Sequence, residues 1–253
     1  MQFGVSITDD VSVIAHDDHR FSSPRHSHHQ AQLLYAVGGV ISLTTDRGTW
    51  VVPPSRAVWL PPNLEHVTTS HTSVRFRSLL IEAESNAALP KDCMVVEVTP
   101  LLRELILRLA ELVDKSDKQE MADAVIRLLL LELSFLPAQP LNLPMPTHAV
   151  LAEFCHRMRN ELALELPTEQ AAQQLHMSRA TFMRLFQRET GLSFGKWRQQ
   201  ARMLKALTLL AEEKSVLDVA LECGYDSPSA FSAMFRRSLG RSPRDYFQSA
   251  LTA

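Results

Sequence analysis

The chain has 253 residues, 45% hydrophobic and 21% charged, which is a composition typical of globular proteins and long enough for two domains. This composition excludes an intrinsically disordered chain, and no segment approaches the roughly 18 apolar residues that a membrane-spanning helix needs. The three cysteines form no CxxC pair, which argues against a disulfide framework or a structural zinc site. The N-terminus shows no signal-peptide pattern, so we expect a cytoplasmic protein without a membrane partner.

The formal net charge of −2 conceals an asymmetry between the two parts of the chain. Residues 1–147 carry 12 Lys and Arg against 17 Asp and Glu, a net charge of −5, whereas residues 148–253 carry 14 against 11, a net charge of +3. Within the second part, the stretch 178–205 holds seven basic side chains and one acid, Glu189. This stretch suits a polyanionic partner, and the alternative is a solvated helical face.

The predicted elements change in type along the chain. Residues 31–82 consist of short alternating segments between turn residues, which predicts β-strands. Residues 100–136 contain two leucine-rich runs of helical period, which predicts an αα-hairpin. The proline-rich segment PAQPLNLPMP then predicts an extended linker. We therefore place one domain at 1–136, the linker at 137–147 and a second domain at 148–253.

The second domain contains an internal repeat. A shift of 49 residues (220 − 171 = 49) places each of seven residues on an identical one. The first copy holds Ala171, Ser178, Phe182, Phe186, Arg188, Gly191 and Ser193, and the second holds Ala220, Ser227, Phe231, Phe235, Arg237, Gly240 and Ser242. Each copy is predicted to be a short helix, a tight turn and a Ser-capped helix that ends at glycine, the pattern of a helix-turn-helix. The units span about 168–190 and 216–239, and a helix over 194–212 joins them. Two tandem units of this kind suit contacts with two successive major grooves of DNA.

The segment Val150–Phe247 resembles the DNA-binding domain of the AraC/XylS family of bacterial transcription regulators. The resemblance is most specific in the second unit, at Ala220, Gly224, Tyr225, Ser227, Phe231, Phe235, Gly240, Pro243 and Tyr246. It implies double-stranded DNA as a partner, RNA polymerase as a further partner of an activator, and a homodimer formed through the αα-hairpin. The alternative for the hairpin is that its leucines pack against their own β-domain. The sequence does not distinguish an activator from a repressor.

The candidate DNA-binding residues lie opposite the aromatic stripe that each second helix buries. In the first unit these are Arg179, Ala180, Met183, Arg184 and Gln187. The resemblance assigns base reading to positions 180, 183 and 184, and Arg184 is expected to bond guanine O6 and N7 together; a phosphate contact is the alternative. The corresponding positions of the second unit carry short side chains, which predicts weaker base discrimination and more backbone anchoring there. The candidates in that unit are Ser227, Ser229, Ser232, Ala233, Arg236 and Arg237.

Residues 25–66 carry two histidine motifs. They are His26-x-His28 followed by Gln32, and Pro61-x-Asn63-x-x-His66. This segment resembles the cupin-type sensor domain of many members of the same family, which implies a β-barrel. Metal-binding cupins carry an acid where Gln32 stands, and an amide is a poorer ligand for a divalent metal.

Three interpretations of these histidines stay open. His26, His28, Gln32 and His66 hold a divalent metal; they line a metal-free pocket that binds an organic effector; or they are polar residues at a barrel mouth. The aromatic residues expected to form the wall of the pocket are Tyr35, Trp50 and Trp59.

The predicted fold class is α+β, with an N-terminal cupin-like β-barrel and αα-hairpin followed by an all-α domain of two tandem helix-turn-helix units. The predicted function is a DNA-binding transcription regulator controlled by a small-molecule or metal effector, and not an enzyme. The segment 45–66 also resembles a subgroup of the family whose members often control a neighbouring transporter or efflux gene. The alternative is a metal-dependent cupin enzyme with a fused helical domain.

Overall fold

The computed structural model describes residues 5–8, 10–70, 72–82, 89–113, 118–136 and 141–246. The chain forms two compact units. The first contains the described parts of 1–43 and 52–139, and the second contains 44–51 and the described parts of 140–246. None of the described helices has the length and hydrophobicity that crossing a membrane requires.

The strands belong mostly to the N-terminal part of the chain. They are β1 (Val5–Ser6), β2 (Val11–Asp18), β3 (Ala31–Gly38), β4 (Ile41–Thr45), β5 (Gly48–Val52), β6 (Arg56–Leu60), β7 (Val67–Ser70), β8 (Val74–Ile81), β9 (Met94–Glu97), β10 (Phe135–Leu136) and β11 (Asn142–Pro144). A seven-stranded sheet has the order β1-β2-β8-β3-β6-β9-β10, and a four-stranded sheet has the order β11-β5-β4-β7. The predicted α+β class is confirmed, and the described strands form two sheets, as in the double-sheet arrangement of cupins.

The seven-stranded sheet has two different faces. Its register pairs both Val13 and Leu33 with Leu79, so the odd-numbered residues of β2, β3 and β8 share one face. That face is apolar and builds the core of the unit together with the helices α1 (Pro100–Leu112) and α2 (Gln119–Glu132). The even-numbered residues lie on the opposite face, where His16 pairs with Phe76.

The two helices α1 and α2 are the predicted αα-hairpin; residues 114–117 between them lie outside the described part. Thr99 begins α1 because its side chain accepts a hydrogen bond from the backbone N–H of Leu102 and Pro100 occupies the first turn. Leu102, Leu105, Ile106 and Leu109 pack into the core with the sheet. These leucines therefore serve their own β-domain, as the alternative interpretation of the hairpin has it. Another set stays exposed, namely Leu101, Met121, Leu128 and Leu131.

The second unit is mainly helical. Its helices are α3 (Ala149–Asn160), α4 (Thr168–Gln174), α5 (Arg179–Thr190), α6 (Phe194–Ala211), α7 (Val216–Glu222) and α8 (Pro228–Leu239). Ser178, Ser193, Ser215 and Ser227 each accept a hydrogen bond from a backbone N–H three residues later, which fixes the starts of α5, α6, α7 and α8. Gly191 and Gly240 end α5 and α8 in the left-handed conformation that glycine adopts without a Cβ penalty.

The predicted linker is corrected by the structure. Its first residues, 137–140, lie outside the described part, but Asn142–Pro144 forms β11 and pairs antiparallel with Gly48–Trp50 in the same unit. The Trp197 indole N–H donates to the Pro144 carbonyl at 2.8 Å, and the Gln200 amide donates to the Asn142 carbonyl. The extended backbone that the prolines impose has therefore become a paired strand.

Candidate DNA interface and effector cavity

The first helix-turn-helix is held by its turn and by an aromatic core. The Met177 N–H donates to the Ala172 carbonyl at 2.9 Å, and His176 has the left-handed φ of 52° that this turn requires. Phe182 and Phe186 of α5 are fully buried, with ring centroids 5.3 and 5.4 Å from that of Phe194. Burial of this stripe leaves the opposite side of α5 to solvent.

The second unit repeats this arrangement with one additional residue in its turn. The Tyr225 N–H donates to the Ala220 carbonyl at 2.9 Å, as the Met177 N–H does to Ala172, so α4 and α7 correspond at a shift of 48 (220 − 172 = 48). The recognition helices keep the shift of 49, as Phe182 and Phe231 show (231 − 182 = 49). The predicted match of Ala171 with Ala220 is therefore corrected to Ala172.

The candidate base-reading residues of the first unit all lie on the outward side of α5 and are exposed. Their interactions differ. The Arg179 Nε lies 2.8 Å from the Glu169 carboxylate, and Gln187 donates to the Gly191 carbonyl at the end of the helix. Arg184 makes no hydrogen bond or ion pair with any residue that the structure describes, so its guanidinium can meet a ligand without breaking a contact.

The outward side of α8 is chemically different. Ser229, Ala233, Arg236 and Arg237 are exposed, and Ser232 is half-buried. The Ser227 hydroxyl is already engaged, since it accepts the Ala230 N–H at 3.2 Å as the helix cap. Helix α8 has short side chains at its start and two cations in its last turn. It can therefore contact a phosphate backbone and has little capacity to contact base edges.

The basic stretch 178–205 contributes less surface charge than its composition predicts. Arg198 donates to the Leu166 carbonyl at 3.1 Å and Arg202 to the Leu162 carbonyl at 3.0 Å. Lys205 donates to the Glu222 carbonyl at 3.1 Å. These three side chains of α6 are half-buried and hold neighbouring segments of the unit, so the cations available to a polyanion lie mainly on α5 and at its end.

The first unit contains a cavity of about 540 Å³. Its walls are the even-numbered face of β2, β3 and β8 and the segment 21–30. Polar and aromatic side chains share this face with aliphatic ones because successive strand residues point to opposite sides of the sheet. The lining residues include His26, His28 and Gln32, which places one of the two sequence motifs on the cavity.

Backbone pairing brings the second motif to the first. The His26 N–H donates to the His66 carbonyl at 3.1 Å, and the His66 N–H donates to the His26 carbonyl at 2.9 Å. One nitrogen of each of His26, His28 and His66 then lies within 4.8 Å of the others. Burial lowers the pKa of His66 to about 4 and that of His28 below its ordinary value, so these two imidazoles are uncharged near neutral pH.

The tautomers of two imidazoles follow from their partners. Nδ1 of His26 lies 2.9 Å from the Pro24 carbonyl, and Nδ1 of His66 lies 2.9 Å from the Leu64 carbonyl. A carbonyl accepts only, so in the neutral imidazole the proton resides on Nδ1 and Nε2 carries the lone pair. The Nε2 atoms of His66 and His28 are buried without a partner among the described residues.

Gln32 presents an oxygen beside this cluster. Its amide nitrogen donates to the Ser78 hydroxyl at 2.9 Å, and that hydroxyl donates to the Leu33 carbonyl at 3.0 Å. The chain of donors fixes Oε1 as the free end of the amide, and Oε1 is buried without a described partner. Three imidazole nitrogens and an amide oxygen therefore fit a divalent transition metal by donor type, without the charge of a carboxylate.

The predicted aromatic walls are corrected by the structure. Tyr35 and Trp59 belong to the odd-numbered face and lie in the core with the helices, where the Trp59 indole donates to the Pro90 carbonyl at 2.9 Å. Trp50 is buried in β5, in register with Asn142 of β11. None of the three lines the cavity. The aromatic residues outside the histidine motifs that do line it are His16, Phe21 and Phe76, and no sequence motif marks them.

Comparison with known proteins finds similarity over both units. A family model described as an AraC-like ligand binding domain matches residues 10–176, and one described as a helix-turn-helix domain matches residues 171–249. The HTH-type transcriptional regulator NimR of Escherichia coli K12 is 36% identical over 230 residues, covering 89% of this chain and 82% of NimR. The virulence regulon transcriptional activator VirF of Yersinia enterocolitica is 30% identical over 208 residues, covering 78% and 76%. The solved structure of ToxT from Vibrio cholerae O395 matches with a TM-score of 0.41 and 12% identity, covering 97% of this chain and all of ToxT.

Proposed function

The chain belongs to the AraC family of helix-turn-helix transcription regulators, and on this basis we propose how its parts divide the work. Helix α5 reads base edges in one major groove, and α8 anchors the protein on the adjacent phosphate backbone. A ligand in the N-terminal cavity controls this binding. The observation that carries the proposal is the exposed guanidinium of Arg184, which engages none of the described residues.

The reading by α5 follows from residue chemistry. Ala180, Met183 and Arg184 are spaced i, i+3 and i+4 and therefore share one side of the helix. The planar fork of Arg184 matches O6 and N7 of a guanine, and the two apolar neighbours suit contact with a thymine methyl group. Arg179 lies beside this set and is paired with Glu169, which favours a supporting phosphate contact over base reading.

The anchoring by α8 follows from the same comparison. Ser229, Ser232 and Ala233 are too short to span base edges with two hydrogen bonds, while Arg236 and Arg237 extend from the last turn. Helix α6 has 18 residues and is therefore about 27 Å long. Successive major-groove faces lie about 34 Å apart, so a connecting helix of this length supports contacts in two neighbouring grooves.

The effector site is the cavity of about 540 Å³, which lies within the roughly 300–1,000 Å³ of typical small-molecule sites. Buried polar atoms of His28 and Gln32 have no hydrogen-bond partner among the described residues, and a ligand can satisfy them. Such a ligand controls DNA binding when it has different affinities for two conformations, and this requires no catalysis. The protein therefore acts as a regulator and not as a cupin enzyme.

A second candidate for the effector is a divalent metal ion. The observation that favours it is the set of imidazole nitrogens of His26, His28 and His66, all within 4.8 Å of one another. The metal content of purified protein, measured by mass spectrometry after exposure to zinc, nickel or iron and desalting, tests this candidate. One retained ion per chain that is lost in His66→Ala, and retained in a variant of the exposed His19, supports it.

The remaining partners complete the proposal. The exposed apolar residues of α1 and α2 form the surface of a homodimer; these are Leu101, Met121, Leu128 and Leu131. The protein acts in the cytoplasm, contacts RNA polymerase where it activates, and controls a neighbouring transporter or efflux gene. Sedimentation of Leu128→Glu and Leu131→Glu beside the wild type tests the dimer, which these charges should disrupt.

The main experiment is recovery of DNA bound by the purified full-length protein from fragmented DNA of its own organism at near-physiological salt. One or a few sharp sites support the proposal and identify the neighbouring genes. Binding no better than that of random DNA, in the presence and absence of cell extract as a source of effector, contradicts it.

A further inference from the structure

We propose that the effector is a small, planar aromatic molecule that carries N–H donors and no negative charge, such as a ring bearing an amidine or amine group. This inference rests on the proposed function, in which the N-terminal cavity holds the effector. It adds the chemical class of the ligand, and three properties of the cavity lead to it.

The first property is an aromatic wall. The His16 ring stacks on Phe76 with centroids 4.7 Å apart and meets the edge of Phe21 at 5.3 Å. Phe21 and Phe76 are themselves 5.7 Å apart, and Ile14 and Leu80 extend the apolar surface. A flat ring packs well on such a surface, and the negative faces of the aromatic rings attract cationic and N–H groups.

The second property is an excess of hydrogen-bond acceptors. His16 and Gln32 line the cavity, and each has a buried nitrogen or oxygen without a partner among the described residues. For His16, Nε2 lies 3.4 Å from the Asp18 carboxylate, which keeps the proton on Nε2 and leaves Nδ1 as an acceptor. For Gln32, the bond to Ser78 leaves Oε1 as the acceptor. A buried acceptor without a donor is unfavourable. Ligand N–H groups that donate to it therefore increase the affinity, and ligand acceptors do not.

The third property is the sign of the charge. No Lys or Arg is present among the described residues that line the cavity, whereas Asp18 supplies a carboxylate. A carboxylate or phosphate ligand would face lone pairs and a like charge with no lysine or arginine in the described lining to balance it. The cavity therefore selects neutral or cationic ligands.

A metal ion by itself does not account for this arrangement. Of the three candidate histidine ligands, His26 and His28 line the cavity and His66 is not among the lining residues. The wall formed by His16, Phe21 and Phe76 would then have no role, and the Nδ1 acceptor of His16 would remain unpaired. An aromatic ligand with donors satisfies both features.

Benzamidine and benzoate test the proposal, because they share ring size and planarity and differ in carrying donors with a positive charge or acceptors with a negative charge. Binding to metal-free full-length protein is measured by ligand-observed NMR titration. We expect benzamidine to bind at least about tenfold more tightly than benzoate. Equal or tighter binding of benzoate, or binding of zinc without any binding of benzamidine, overturns the proposal.

Two variants locate the binding. His16→Phe keeps an aromatic ring and removes the acceptor, and we expect it to weaken benzamidine about fivefold or more. His19→Phe is the matched control, because His19 is exposed and does not line this cavity. Equal affinity of both variants for benzamidine overturns the proposal, and thermal unfolding of each confirms that it is folded.

The DNA readout separates this inference from the proposed function. Specific operator binding by wild-type protein that binds neither ring compound leaves the regulator intact and refutes the ligand class. If benzamidine binds more tightly than benzoate, the ligand class is supported. If a close analogue of benzamidine at saturating concentration then leaves the affinity for the operator unchanged, control of DNA binding through this cavity is refuted.

Discussion

Substitution of Arg184 by alanine tests the reading of DNA by α5 directly. Arg184 is exposed and has no partner among the described residues, so no contact within the protein is lost on removing it. Arginine and alanine both have high helix propensity, so we expect the substitution to change the free energy of unfolding by less than about 0.5 kcal/mol. An effect on binding to DNA is therefore an effect on the contact itself.

The magnitude follows from a bidentate bond to guanine. Loss of such a bond costs about 1–3 kcal/mol, which corresponds to roughly 5- to 150-fold in Kd at the operator. On random DNA the variant loses only a cation near the backbone, and its affinity should fall much less. Preference for guanine should also relax at one or two base pairs, while other positions keep theirs.

Fluorescence anisotropy on the operator, on its single-base variants and on random DNA, at several salt concentrations, measures these quantities. Arg237→Ala is the matched comparison, since it should weaken all sequences alike and reduce the salt slope by about one. Arg179→Ala controls for a cation on the same helix that already has a protein partner. An equal loss of affinity for Arg184→Ala on operator and random DNA would show that Arg184 does not read a base.

Three further predictions concern the stability and reactivity of the second unit. Gly224 has a φ of 72°, and a Cβ there would lie 2.8 Å from the Ala163 Cα, whereas Gly191 shares that φ with open space around it. In urea unfolding, Gly191→Ala should cost about 1 kcal/mol and Gly224→Ala distinctly more, and equal costs would contradict the clash. Glu189 accepts hydrogen bonds from Thr147 and His148, which lower its pKa from 4.5; its folded pKa lies below the unfolded one, so its stabilisation is present above about pH 4.5 and is lost as the pH falls. The Tm of Glu189→Gln should therefore lie below that of the wild type at pH 7, and the difference should shrink as the pH falls below 4.5; a constant difference would contradict this. Burial raises the pKa of Cys155 to about 12 and that of Cys223 to about 11, so iodoacetamide at pH 8 should label both only after unfolding, as read by mass spectrometry.

The helical unit was largely predictable because its signals are local. Serine caps, terminal glycines and the aromatic stripe of Phe182 and Phe186 each act within one or two helical turns. The one-residue difference between the two turns was not visible, because the match of Ala171 with Ala220 conceals that Ala172 makes the corresponding backbone bond. The surface charge of α6 was also overestimated from the sequence. Composition does not show that Arg198 and Arg202 donate to backbone carbonyl groups.

The cavity was predictable only in part. The two histidine motifs were found from their spacing, and the backbone pair between His26 and His66 joins them. The walls were not found, because all eight residues of β3 are buried and its sequence gives no sign of which face the cavity occupies. Gln32 marks that face, and Tyr35, three residues later, necessarily lies on the other.

The central claim is that this regulator reads DNA with two units of unequal discrimination. The most direct measurement is a base-by-base affinity map of the operator recovered from genomic DNA, using wild-type protein at about 150 mM salt. We expect two contact blocks about 10 base pairs apart, one with penalties of about 1–3 kcal/mol per substitution and the other with little penalty. Equal penalties in both blocks, or none in either, would contradict it.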